Sequence, residues 1–266
     1  MLQAVLANDE FKTMTEVCLE NNFLSENYTV ETEDGYLLEL YRIPGQVSEQ
    51  FGDKPKPAVL MMHGMDSDMM EWIMNSEEKA NAFILSRAGY DVWMGNNRGC
   101  RYGVNHKTLN PKDRDFWDFY QEDMGTKDLP AFIDFILDNT GLENISYVGH
   151  SEGTTQLFLG GSLKPDYFAE KINLALMLAP VARTGHIGGV LADAAHHIEA
   201  IELAIVDGLG IYNWVPPQPL GSKFLDTFCG AFIIKGVCKA IADAVIDETV
   251  MNVDRFPAAA TWIPSG

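Results

Sequence analysis

Apolar runs alternate with amphipathic stretches over the first two thirds of the chain. Residues 57–62 form a continuous apolar run, as expected of a strand buried on both faces of a parallel sheet. Residues 89–94, 145–148 and 172–178 are predicted as further strands, the last of them buried. Residues 75–87 and 128–139 have apolar positions at helical spacing and are predicted as helices.

The chain is predicted to begin with an antiparallel hairpin. Residues 29–32 and 36–43 have strand character and flank Glu33-Asp34-Gly35, where Asp-Gly is a strong turn signal. The alternation of strands and helices that follows predicts an α/β fold, with a mostly parallel sheet and helices on both faces.

The alternation of predicted strands and helices stops after Pro180. Residues 183–250 contain long apolar and acidic helical stretches and a cluster of prolines. We interpret them as a mainly helical cap over a core formed by residues 1–182, with residues 251–266 returning toward that core.

A five-residue segment carries the candidate chemistry. Gly149-His150-Ser151-Glu152-Gly153 follows an apolar strand and precedes a stretch compatible with a helix. Strand, G-x-S-x-G and helix together form a nucleophile elbow, in which the serine sits on a tight, strained turn. Ser151 is therefore the predicted nucleophile. The alternative is a strand-to-helix turn that uses glycine for its geometry only.

Composition narrows the range of partners. The chain has 266 residues and a formal net charge of −19, so nucleic acid would be repelled. No apolar run approaches the roughly 20 residues of a membrane span. No clustered set of cysteine and histidine ligands occurs, so neither a metal nor another cofactor is predicted.

Cysteines and the N-terminal segment bear on the compartment. Of four cysteines, Cys229 and Cys238 are close enough in the chain to bridge, whereas Cys18 and Cys100 should stay free. Asn27-Tyr28-Thr29 is a glycosylation sequon in an exposed position. The first residues lack a basic, apolar signal peptide, so a cytoplasmic location stays open.

Several segments in order resemble the acid lipase family, which includes gastric, lingual and lysosomal acid lipases and steryl ester hydrolases. They are Glu33-Asp34-Gly35-Tyr36, His63-Gly64, Ala88-Gly89-Tyr90-Asp91-Val92-Trp93, Gly95-Asn96-Asn97-Arg98-Gly99, Tyr147-Val148-Gly149-His150-Ser151 and Leu178-Ala179-Pro180. The resemblance runs from about residue 11 to the end and implies the α/β-hydrolase fold.

The resemblance implies hydrolysis of fatty-acid esters, either triacylglycerols or steryl esters, at a lipid–water interface. Ser151 would attack the ester carbonyl, and the backbone N–H groups of Met65 and Glu152 would form the oxyanion hole. Cys229 and Cys238 fall where the family has a disulfide. By the same resemblance the protein would be secreted or lysosomal.

Two departures from the family pattern matter. Glu152 stands where the family usually has glutamine. The carboxylate of Glu152 suits a helix N-terminus but places a negative charge near the oxyanion. The family also carries its catalytic acid and histidine on later strands, and these are not found before Gly266. The histidines of this chain are not expected to replace them: His63, His106, His150, His186, His196 and His197.

Three interpretations follow. The first is a serine lipase whose chain, as it stands, hydrolyses esters very poorly because the base is missing. The second is a catalytically inactive lipid-binding or interaction protein that keeps the hydrolase fold. The third is a hydrolase of other esters or thioesters, because the elbow does not specify the acyl group.

Overall fold

The computed structural model describes residues 12–52, 54–65 and 67–183. The strands are β1 (Glu26–Glu31), β2 (Tyr36–Ile43), β3 (Ala58–Met62), β4 (Asp91–Gly95), β5 (Asn105–His106), β6 (Ile145–His150) and β7 (Ile172–Leu178). The α-helices are α1 (Met14–Glu20), α2 (Asn81–Arg87), α3 (Gln121–Asp123), α4 (Leu129–Thr140), α5 (Glu152–Leu163) and α6 (Pro165–Lys171). Two 3₁₀ turns (Met69–Trp72 and Arg114–Trp117) and a π-helical turn (Met124–Asp128) complete the described elements.

The strands form one mixed sheet in the order β1-β2-β4-β3-β6-β7, with β5 paired to β2. β1 pairs antiparallel with β2, and β2 pairs antiparallel with β4. The β3–β4, β3–β6 and β6–β7 pairs are parallel. The antiparallel start and the mostly parallel remainder that the sequence predicts are thus confirmed.

The core lies on both faces of this sheet. Every residue of β3 and β4 is buried, as the continuous apolar run at residues 57–62 predicts. One face packs against α1 and α2 through residues such as Val17 and Phe83, and the other packs against α4 through Phe132 and Ile136. Since β3 lies between β4 and β6, its carboxyl end is held at the centre of the sheet.

Two helices begin later than the sequence pattern suggests. Helix α2 starts at Asn81 rather than residue 75, because the Asn75 side chain accepts a hydrogen bond from the Ser76 N–H and the Ser76 carbonyl closes a separate turn. Helix α4 starts at Leu129 rather than residue 128, because the π-helical turn comes before it. It ends at Thr140, and the C-cap residue Gly141 has a left-handed φ of 68°.

The prediction that β7 is buried is wrong. Leu174 and Leu176 are 53% and 47% exposed, because no described strand or helix covers that side of β7. The predicted cap (183–250), the returning segment (251–266), the Cys229–Cys238 pair and His186, His196 and His197 lie outside the described residues, except that position 183 is the last described one.

Candidate active site

Ser151 sits where β6 ends and α5 begins. Its backbone has φ 48° and ψ −110°, a left-handed conformation that is costly for a residue with a side chain. The Ser151 N–H donates to the Leu178 carbonyl at 3.0 Å, and the Ser151 carbonyl accepts from the Thr154 N–H at 2.9 Å. The predicted nucleophile therefore occupies a strained turn fixed by β7 on one side and by α5 on the other.

The two glycines of the elbow are required by close contacts. A Cβ atom on Gly153 would lie 2.4 Å from the Met62 carbonyl oxygen at the end of β3. A Cβ atom on Gly149 would lie 2.8 Å from the backbone of Gly153. Any side chain at either position would push α5 away from the sheet and move Ser151 with it.

The loop after β3 lies against the nucleophile. A Cβ atom built on Gly64 would be 3.2 Å from the Ser151 Cβ and 3.0 Å from the His150 Nδ1. Met65 follows Gly64, and Glu152 is the first residue of α5. The fold thus brings the segments of both expected oxyanion donors to Ser151, and their role as donors stays a prediction.

A small, mainly apolar cavity opens beside this loop. It has a volume of about 140 Å³, and its walls include Met65, Trp117, Phe119, Met124 and Glu152. Asn97 also lines it and is buried, yet within the described part of the chain neither polar atom of its side-chain amide has a hydrogen-bond partner. Glu152 accepts a hydrogen bond from Gln121 Nε2 at 3.0 Å, which orients its carboxylate.

Two histidines that sequence inspection set aside have structural partners. His63 is buried, and its Nδ1 lies 2.8 Å from the Gly64 carbonyl while its Nε2 accepts from the Asn97 N–H at 3.2 Å. Burial lowers the pKa of His63, so the ring stays neutral. His106, expected in a loop, belongs to β5 and bonds backbone groups through both ring nitrogens.

His150 is paired with a carboxylate. Its Nδ1 lies 2.7 Å from Oε1 of Glu71, in the first 3₁₀ turn. The Glu71 carboxylate beside it raises the pKa of His150. Burial opposes the ionisation of Glu71, but the His150 interactions outweigh it and lower the pKa of Glu71. Glu71 also accepts the Gly64 N–H at 3.1 Å; we call Gly64, Glu71 and His150 the Glu71 bridge.

A second group of ionic side chains adjoins the cavity through Arg98. Arg98 is buried and bonds Asp128 in the π-helical turn at 2.5 Å and Asp34 in the β1–β2 hairpin at 2.7 Å. Lys127 also contacts Asp34, at 3.2 Å. The guanidinium of Arg98 lies over the Tyr36 ring. We call Asp34, Arg98, Lys127 and Asp128 the Arg98 cluster.

Sequence inspection missed the parts played by Glu71, Asn97 and Arg98. Asn97 and Arg98 were recognised only as members of a segment that resembles the acid lipase family, although an arginine directly after a buried strand is a signal for an ionic partner. Glu71 lies in Met69–Trp72, a short turn with no periodicity, and its link to His150 depends on the tertiary fold.

Other predicted features can be placed within the described residues. Asn27 is exposed on β1, and Cys18 and Cys100 are free and buried. No described group of histidine, cysteine and carboxylate side chains could hold a metal ion. None of the helices in the described ranges is long and apolar enough to cross a membrane.

Comparison with known proteins defines the class first. Residues 14–76 match a model for the partial α/β-hydrolase lipase region, and residues 57–179 match the α/β-hydrolase fold. A crystal structure of a protein from Sulfolobus solfataricus aligns with a TM-score of 0.60 over 91% of this chain and 72% of that one. Its sequence identity is 16%, so it supports the fold alone. The chain has the α/β-hydrolase fold.

Relatives define the family. The chain is 38% identical to human lysosomal acid lipase/cholesteryl ester hydrolase over 92% of its length, and 37% identical to lipase lipl-3 of Caenorhabditis elegans over 90%. It is 41% identical to mouse lipase member M over 97%. The chain belongs to the acid lipase family. It spans 61%, 60% and 61% of the lengths of these three relatives, respectively.

Proposed function

We propose that Ser151 is the nucleophile of a hydrolase of fatty-acid esters. The observation that carries this proposal is the left-handed backbone of Ser151 between β6 and α5, with Gly64 packed against it. Such strain persists only where the surrounding structure imposes it, and it exposes the hydroxyl for attack.

In the proposed reaction, Ser151 Oγ attacks the ester carbonyl carbon while its proton passes to a base. The carbonyl oxygen becomes an oxyanion that accepts hydrogen bonds from the N–H groups of Met65 and Glu152. Collapse breaks the bond to the alcohol, which leaves with a proton, and water then hydrolyses the acyl-enzyme. Among the described residues, Ser151 Oγ has no hydrogen-bonded histidine, so the base is not assigned here.

The substrates we propose are triacylglycerols or steryl esters presented at a lipid–water interface. The names of the relatives support this class, and the apolar cavity beside Met65 agrees with it. At about 140 Å³ this cavity holds only a short part of a long acyl chain. We propose that the predicted cap forms the remainder of the site that binds the acyl chain. We also propose a secreted or lysosomal location, with a glycan on Asn27 and a Cys229–Cys238 disulfide.

The test is hydrolysis of a long-chain ester by four proteins: the 266-residue chain, an extended chain that carries the C-terminal third of an acid lipase relative, and the Ser151→Ala variant of each. We expect turnover by the extended chain that Ser151→Ala abolishes in the same background. A folded extended chain that binds the ester without hydrolysing it would instead support the inactive lipid-binding protein.

A further inference from the structure

One carboxylate joins the two segments that would carry the reaction. Glu71 Oε2 accepts the Gly64 N–H at 3.1 Å, and Oε1 lies 2.7 Å from His150 Nδ1. Gly64 directly precedes Met65, and His150 directly precedes Ser151. The Glu71 side chain is 19% exposed and the His150 side chain is 40% exposed, so the carboxylate is largely shielded from water while the imidazole is partly solvated.

The bridge sets the distance between a donor and the nucleophile. Because the Gly64 N–H is already bonded to Glu71, the next N–H of the loop that could serve as a donor is that of Met65. Gly64 is packed so closely on His150 and Ser151 that even a Cβ atom would touch both. A carboxylate that holds Gly64 and His150 together therefore holds the Met65 N–H near Ser151.

The charge of the bridge also matters. A negative Glu71 beside a developing oxyanion would oppose the reaction unless a cation balances it. Two arginines lie nearby but act on other carboxylates. Arg98 lines the same cavity and is paired with Asp34 and Asp128. Arg101 lowers the pKa of Asp68 against the effect of burial.

The remaining titratable groups around the bridge supply no positive charge. His63 is buried and neutral, Asp68 is a buried carboxylate whose pKa burial raises to about 7, and Glu152 lines the same cavity as Met65. The balancing cation is therefore His150.

We propose that Glu71 is a positioning residue that ties the oxyanion loop to the nucleophile turn, and that the proton on His150 keeps this tie neutral. The proposal rests on the proposed function, because it assigns the loop at Met65 to oxyanion stabilisation. It predicts that Ser151 loses reactivity as pH rises and His150 deprotonates.

Two substitutions separate the two roles of Glu71. Glu71→Gln keeps an acceptor for the Gly64 N–H and removes the charge. Glu71→Ala removes both. The matched control is Glu49→Gln, because Glu49 likewise accepts a backbone N–H, from Gln46, and pairs with a cation, Lys56, far from Ser151.

Two measurements are made on each variant. Nuclear magnetic resonance of the 266-residue chain follows the titration of His150, and a p-nitrophenyl alkylphosphonate labels Ser151 in the extended chain across the pH range. Ser151 forms an O–P bond and p-nitrophenolate leaves, so the rate reports on the nucleophile and on the oxyanion donors.

We expect Glu71→Gln to lower the titration midpoint of His150 and to remove the fall in labelling at high pH. Glu71→Ala should slow labelling at every pH, by about 10-fold to 100-fold, as expected when reacting groups shift by roughly 1 Å. Glu49→Gln should keep both profiles of the unsubstituted protein.

The proposal is overturned if Glu71→Gln leaves the His150 midpoint and the labelling profile unchanged. It is also overturned if His150→Gln abolishes labelling as fully as Ser151→Ala, since His150 would then be the base. If the unsubstituted extended chain is not labelled at all, the proposed function fails, whereas the titration of His150 still decides whether the bridge exists.

Discussion

Gly64 of the Glu71 bridge and Arg98 of the Arg98 cluster line the same small cavity, and both groups use carboxylates to hold loops that follow strands of the sheet. They differ in their cation. Arg98 stays charged at any ordinary pH, and its bonds to Asp128 and Asp34 raise its pKa further against the effect of burial. His150 is a titratable cation whose pKa the Glu71 carboxylate raises. Both sites hold loops, and they differ in how the charge of the cation responds to pH.

The largest expected effect comes from removing the permanent cation. Arg98→Met leaves Asp128, which is fully buried, without its partner, and breaking such a pair typically costs about 3–5 kcal/mol. Unfolding in urea measures the loss. Arg87→Met is the control, because Arg87 and Glu77 form an exposed pair worth about 1 kcal/mol or less. Equal losses in the free energy of unfolding for the two variants would show that the Arg98 cluster does not stabilise the fold more than an exposed ion pair does.

A smaller loss is expected from the outer partner of Arg98. The Asp34 side chain is partly exposed, so Asp34→Asn leaves a group that water can still solvate. We expect a loss of about 1–2 kcal/mol, in the range of a hydrogen bond to a charged group. A loss of stability as large as that of Arg98→Met would show that the cluster stabilises the protein mainly through Asp34 in the hairpin rather than through Asp128.

Removing the charge of the Glu71 bridge should cost still less stability. Glu71→Gln keeps the bond to Gly64, so the free energy of unfolding should fall by about 1 kcal/mol or less. The comparison predicts a reversal between two measurements. Arg98→Met should lower the free energy of unfolding more than Glu71→Gln does. Glu71→Gln, in contrast, should change the pH dependence of Ser151 labelling more than Arg98→Met does, when each change is set against the variant's loss of stability.

The pH dependence of stability provides the finest distinction. The pKa of His150 is raised in the folded state, so its contribution is fully present below the unfolded pKa of about 6.5 and is lost as pH rises through the raised value. Arg98 and its neighbours lower the pKa of Asp34, so that contribution is present above about pH 4 and is lost on acidification.

Urea unfolding should therefore show a decline between pH 5.5 and 8.5 that His150→Gln makes shallower, and the measurement is extended below pH 4 for the acid limb. Part of the decline should remain, because burial also raises the pKa of Asp68, to about 7, and of Asp128, to about 6. Asp34→Asn should leave that decline intact and flatten the acid limb instead. The opposite assignment of the two limbs would contradict the proposed division between the two sites.

Local pattern was enough to predict the sheet and the nucleophile. The continuous apolar run before His63 and the G-x-S-x-G segment around Ser151 encode their structure within a few residues, and family resemblance supplied the fold. The exposure of Leu174 was mispredicted because an apolar strand does not reveal whether neighbours cover it. Glu71 and Arg98 were missed as partners because their contacts join segments that only the folded sheet brings together.

The position of β3 in the sheet has a consequence for how the protein is made. β3 pairs with β6, so that Val59 lies opposite Ser146, although most of the described chain separates them. A ribosome adding 5–20 residues per second needs on the order of 10 s to deliver β6 after β3. During that interval the fully apolar β3 has an open edge, and the loop at Gly64 has no nucleophile turn to rest on. The packing of Gly64 against Ser151 can therefore form only after β6 has been added to the nascent chain.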